Sequence, residues 1–147
     1  MAQGDIVFYN SAKKKILDND IDFAADTIKC TLHTGYTPNI DTHDNFDDVS
    51  STEYGSGSGY TAGGVTLASK TVTVDTTNDQ ADVDAADIAW TGLGPLSPAT
   101  PSHAIIWKDT GTPSTSPLIC YIELGTTATN GSNYAIALNA GGLFTLT

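Results

Sequence analysis

The sequence predicts an all-β protein, an antiparallel β-sandwich or barrel-like domain with one short N-terminal helix and a long loop arm of glycine and tyrosine. Three observations predict it. Apolar and polar residues alternate with a period of two in several short runs, as in half-buried strands. Segments rich in Gly, Pro, Ser and Thr separate these runs at intervals of about 8–12 residues, the strand spacing of sandwiches and barrels. Threonine and valine, which suit a pleated surface, recur in the runs, as in TVTVD at 71–75.

The elements follow in chain order. Asn10 or Ser11 can cap a helix, and Ala12–Leu17 continue it with Ile16 and Leu17 as an apolar edge. Ile28, Cys30 and Leu32 alternate with Lys29, Thr31 and His33, which predicts a strand with one face buried and the other wet. Residues 34–64 read as a loop or arm within the domain. Phe46 and Val49, three apart, predict one helical turn pinning that arm to the body. Strand pattern returns at Val65 and Leu67 and changes parity by Val72 and Val74, so a bulge or bend is expected near Ala68–Thr71. A second change separates Val83 and Ala85 from Ala86, Ile88 and Trp90. Ala104–Trp107, Leu118–Leu124, Tyr134–Leu138 and Phe144–Leu146 read as an antiparallel meander.

A chain of 147 residues is one ordinary domain, residues 1–147, large enough to bury about 68–70% of its unfolded surface. The net charge of −11, from 17 acidic and 6 basic residues, argues against nucleic acid, whose phosphates need clustered Lys and Arg. No run approaches about 18 apolar residues, and MAQGDIVFYNSAKKK contains no apolar leader core. Synthesis in a cytoplasm, without a membrane partner, is therefore expected. Cys30 and Cys120 lie in apolar segments and read as buried thiols, with a bridge between them only if their strands are neighbours.

Thr52–Gly64, TEYGSGSGYTAGG, is the conspicuous stretch. It lacks the lysine of a Walker loop, the spacing and following helix of a dinucleotide fingerprint, and the central serine of a nucleophile elbow. Asp18, Asp20 and Asp22 begin like a calcium loop, but Phe23 stands at its glycine position and Lys29 at its glutamate position. Asp41, His43, Asp44, Asp47 and Asp48 form the densest set of potential ligands and read as a solvated loop. His33, His43 and His103 lack metalloenzyme spacing. No catalytic, cofactor-binding or metal residues are expected, and no enzyme.

Two readings remain, an arm that packs on its own domain or on a neighbouring copy, and a long hairpin connection held by Tyr54 and Tyr60 alone. Tyr36, Tyr54 and Tyr60 supply large amphipathic contact area. Lys13, Lys14 and Lys15 hold half of the basic residues, as a solvated helix face or against a neighbour's acidic surface. These six residues are the expected interface, with the polar segment Ala2–Tyr9 held by another subunit. Trp90 and Trp107 read as core, or alternatively as platforms for sugar.

TIKCTLHTGYTPNIDTHDNFDDV, GSGYTAGGVTL, HAIIWKDTGTPSTSPLICYIELG and the terminal GGLFTLT, spread over Tyr9–Thr147, resemble small β-rich virion proteins of tailed bacteriophages. The resemblance implies a non-enzymatic particle component, a capsid decoration or cement protein on the outer shell. The alternative is a tail- or fibre-associated adhesin that binds a host glycan. It implies other virion proteins as partners, the major capsid protein first. It also implies a homo-oligomer with a trimer as the expected symmetry, no cofactor, and residence in a virion assembled in the host cytoplasm.

Overall fold

The computed structural model describes residues 3–97, 100–125 and 127–147 and is mostly β, with three antiparallel sheets. Strands β1 (Ile6–Phe8), β2 (Ile28–His33), β3 (Val65–Thr66), β7 (His103–Lys108) and β8 (Leu118–Glu123) form a five-stranded sheet in the order β1-β8-β7-β2-β3. Strands β4 (Thr71–Asp75), β5 (Gln80–Asp84) and β10 (Phe144–Leu146) form a second sheet, ordered β10-β5-β4, and β6 (Ile88–Trp90) pairs with β9 (Tyr134–Ile136) in a third. The expected all-β class is what the chain adopts.

The large sheet is buried on both faces. Ile28, Cys30 and Leu32 of β2, Ala104 and Ile106 of β7 and Cys120 and Ile122 of β8 enter the main core with Trp90, Tyr134, Ile136 and Leu143. Each fully buried aliphatic side chain contributes roughly 1.5–3 kcal/mol. The opposite face, with Ile105, Trp107, Leu118 and Tyr121, is covered by Tyr9 and Ala12 from one end of the chain and Tyr36, Phe46 and Val49 from the 34–52 segment. This corrects the expectation of a wet second face on β2: Thr31 and His33 are fully buried beneath that segment. Two turns of 3-10 helix, Phe46–Asp48 and Ser50–Thr52, carry the pinning residues, and the Phe46 ring stacks 4.0 Å from Trp107.

The helix α1 spans Asn10–Leu17, but neither Asn10 nor Ser11 caps it. Tyr9 occupies the cap position without a side-chain bond, because the Asn10 side chain is engaged by Asp41 Oδ1 and Lys13 Nζ. Both parity changes are changes of sheet. Between β3 and β4 the chain leaves the large sheet through Ser69, whose φ is +52°, and between β5 and β6 it passes from the second sheet to the third. The expected meander holds only for its first hairpin, β7–β8, since β9 pairs with β6 and β10 with β5.

A bulge in β8 has a consequence for the surface. Ile106 faces Cys120 but Trp107 faces Leu118, so Ile119 is the extra residue. A bulge re-aims a side chain, and Ile119 joins Cys120 on the main-core side instead of alternating away from it. Cys30 and Cys120 flank Ile106 from opposite sides, separated by all of β7. Two strand spacings make roughly 10 Å, too far for a disulfide. Both thiols are free and buried.

Candidate functional site

The residues expected at an interface divide into two groups. Tyr36, Tyr54 and Tyr60 are buried in the chain's own core, so their rings are not available to cover a neighbour. The glycine-rich stretch packs on its own domain. Gly64, at φ +67°, lies so close to β2 that a Cβ would sit 1.9 Å from the Cys30 carbonyl oxygen, and at Gly59, φ +85°, one would sit 2.5 Å from that of Gly92. The Tyr60 hydroxyl accepts from the Leu32 amide at 3.0 Å and donates to Glu53 Oε1 at 2.8 Å. Burial is the main cause that raises the Glu53 carboxyl, against the lowering effect of its bonds from Tyr60 and Gly63.

Lysines 13–15 remain on the surface. Lys13 is exposed and bonds Asn10, Lys14 pairs with Asp18, and the half-buried Lys15 reaches Asn45 Oδ1 at 3.3 Å. The N-terminal segment is held by its own chain. Gln3 donates to the carbonyls of Ala137 and Leu143 and accepts from Asn139, and β1 pairs with β8. Ala2 lies outside the described residues. Trp90 and Trp107 are buried, as the core reading expected, and present no platform for a sugar.

All three histidines gather round one tyrosine. Ring centres of His33, His43 and His103 lie 5.9, 5.6 and 5.3 Å from that of Tyr36. The Tyr36 hydroxyl bonds Tyr9 at 2.7 Å and His43 Nδ1 at 2.9 Å. His33 lies between Thr31 and Thr52, with Nε2 2.8 Å from one hydroxyl and Nδ1 3.0 Å from the other. Burial, reinforced by His103, pushes His33 down to about 3, so it is neutral at physiological pH. Of the aspartates in 41–48, Asp48 accepts from the amides of Asp44 and Asn45, and Asp41 accepts from the Asn10 side chain. Among the described residues no group of three His, Cys, Asp or Glu is placed to hold a metal ion.

An uncommitted feature lies elsewhere. A cleft of about 630 Å³ opens between α1, the Ile21–Ala24 turn and the β10-β5-β4 sheet. Its floor is Phe8, Ile119, Phe23 and Phe144, and the bulge at Ile119 helps to shape it. The Phe144 ring meets Phe8 edge-on at 4.6 Å and Phe23 at 5.8 Å, which fixes the floor. Its lips are exposed aliphatics: Leu17 is 81% exposed, Val72 49% and Leu146 63%. A shallower hollow of about 320 Å³ lies along the same sheet, where Val74, 78% exposed, stands with Leu146, Asp75 and Asp79. The sequence reading missed this cleft. The signal was present, in Val72 and Val74 alternating with threonine and in the apolar helix edge ending at Leu17, but alternation does not reveal which apolar face stays uncovered.

The chain matches no protein-family model, no curated protein and no solved structure. The fold and site define an all-β protein with an uncovered apolar cleft. Among the described residues no helix is long and apolar enough to cross a membrane.

Proposed function

We propose that the chain is a non-enzymatic structural protein of a tailed-phage virion, a capsid decoration protein that binds the outer shell and stabilises it. The observation that carries this reading is the uncovered apolar surface of Leu17, Val72 and Leu146 round the cleft and of Val74 in the adjoining hollow. An apolar patch that folding leaves open is a contact surface for another macromolecule. The resemblance over Tyr9–Thr147 supplies the setting. The net charge of −11 keeps free copies apart before assembly. Repetition over a lattice turns modest single contacts into stable attachment. The major capsid protein is the partner in this reading, and the decoration unit is a symmetric homo-oligomer, a trimer.

The side chains that do chemistry in other proteins have structural occupations here, which supports a non-enzymatic role. Cys30 and Cys120 are buried, and burial raises both thiols. The histidines bond the hydroxyls of Thr31, Thr52, Tyr36 and Ser102. The glycan-binding alternative has lost the aromatic surface that motivated it. Quantitative mass spectrometry of purified particles tests the proposal. Hundreds of copies per particle are expected. A handful of copies would move the chain to the tail, and its absence would refute a virion role.

A further inference from the structure

We infer that the cleft beside α1 is the docking site for an apolar segment of a different protein, one flanked by lysine or arginine. This rests on the virion role proposed above and names the chemistry of the partner at that site.

The register makes the small sheet amphipathic. Phe144 pairs with Val83 and Val83 with Val72, while Leu146 pairs with Ala81 and Ala81 with Val74. These two rows lie on one face, and Thr145, Asp82 and Thr73 lie in a row on the other. In the first apolar row Val83 is buried and Phe144 half-buried, while Val72, at its β4 end, is exposed. The second runs past the body and stays bare at both ends, at Leu146 and Val74. This chain thus covers the apolar sheet face at Val83 and part of Phe144 and leaves it bare at Val72, Val74 and Leu146.

The rim of that face is also open. β4 is an edge strand, exposed along Thr71–Val74, and its register with β5 is unbroken. Within Thr71–Val74 there is no proline, charge or bulge of the kind that blunts an edge against pairing, the charges Lys70 and Asp75 standing only at its two ends. Such an edge can accept an added strand, whose alternate side chains would drop into the cleft.

Charge selects the occupant. Asp22 and Lys13 stand on the cleft walls, and Asp75 and Asp79 line the hollow that adjoins the cleft at Leu146. None of the three aspartates joins an ion pair among the described residues. A second copy would bring another −11 to this rim, and a fatty acid would bring its carboxylate. An apolar segment that lies in the cleft and runs past Leu146 with a cationic flank satisfies both the apolar floor and the acidic hollow beyond it.

The test uses the full chain and three synthetic peptides that share one alternating leucine–threonine core. The first has two lysines at each end, the second two glutamates and the third two serines. Methyl NMR at low salt follows Leu17, Val72, Val74 and Leu146. The lysine-flanked peptide is expected to shift these methyls and to bind at least about ten-fold tighter than the glutamate-flanked one, with the gap closing at high salt. Val74→Lys and Leu146→Lys replace exposed residues and are expected to abolish binding with Tm unchanged. Equal affinity for the three peptides, or no shift at these methyls, overturns the inference. So does self-association by sedimentation that Val74→Lys abolishes, because a second copy would then be the occupant. Particle assembly separates this inference from the reading beneath it. If the unmodified chain enters particles in high copy and both variants enter equally well, the cleft inference falls and the virion role stands. If the lysine-flanked peptide binds at the cleft but the unmodified chain is absent from particles, the virion role falls and the cleft chemistry stands.

Discussion

The hydroxyl of Tyr60 stands 2.8 Å from Glu53 Oε1, and the same carboxylate oxygen accepts the Gly63 amide at 2.6 Å. This contact closes the glycine-rich stretch back onto its own start. It explains how a segment of loop composition can be an ordered part of the domain. The tyrosine side chain is buried, its hydroxyl is satisfied on both sides, and the carboxylate gathers the amide that follows.

Removing the acceptor should therefore cost more than removing its charge. Glu53→Ala leaves the Tyr60 hydroxyl and the Gly63 amide without their partner, and a loss of about 1–3 kcal/mol is expected. Glu53→Gln keeps an acceptor oxygen and deletes a charge that burial disfavours, so its expected cost is below about 1 kcal/mol. Tyr60→Ala removes a core ring, at an expected cost of about 3–5 kcal/mol. Urea unfolding of the three variants checks the order.

Two glycines of the same stretch should respond differently to one methyl group. Gly64→Ala places a Cβ against the Cys30 carbonyl at a positive φ, and a loss above about 2 kcal/mol is expected. Gly55 has no heavy atom near its Cβ position and no positive φ, so Gly55→Ala should stay within about 0.5 kcal/mol of the parent. Paired thermal melts compare them.

Acidification should loosen the cover over the large sheet. His33 falls to about 3 in the folded chain, below its unfolded value of about 6.5. Its contribution is therefore fully present above about pH 6.5 and is lost as the pH falls towards 3, by at most about 1.4 kcal/mol per pH unit. His103, lowered chiefly by burial and opposed by Glu123, acts in the same direction. The other titratable groups facing this cluster are Tyr36, Tyr9, Tyr121 and His43, with Asp48 close enough to act on both Tyr36 and His43. Thermal unfolding between pH 7 and 5 should show a shallower dependence in His33→Gln than in the parent. Equal slopes would remove His33 from this role.

The two thiols should be silent until the chain unfolds. Burial holds both of them well above the ordinary thiol range, and one strand separates them. An aromatic disulfide reagent should label neither in the native protein and both in urea, and Tm should not change with reductant. A reductant-dependent Tm would mean that the strands are paired otherwise.

Much of the fold was legible because it depends on local pattern. The alternation at Ile28–His33 and the run at Ala104–Trp107 marked β2 and β7, and Phe46 with Val49 marked the pinning turn. Strand pairing was not legible, because a period of two does not name a partner. β9 and β10 follow β8 in sequence yet join β6 and β5. The tyrosines left packing on the chain's own domain and on a neighbouring copy both open for a related reason. Their glycine and serine neighbours imply exposure, while the groups that justify their burial, such as the Leu32 amide, lie on distant strands. The cleft stayed hidden because the sequence shows Val72 and Val74 on one face of a strand but not that the face looks outward at its far end.

Cryo-electron microscopy of the assembled particle tests the central claim most directly. The account predicts density for this domain repeated over the outer shell, with α1 and β4 against a neighbouring protein and Leu17, Val74 and Leu146 covered. A particle whose shell lacks this domain, or carries it with the cleft open to solvent, would contradict it.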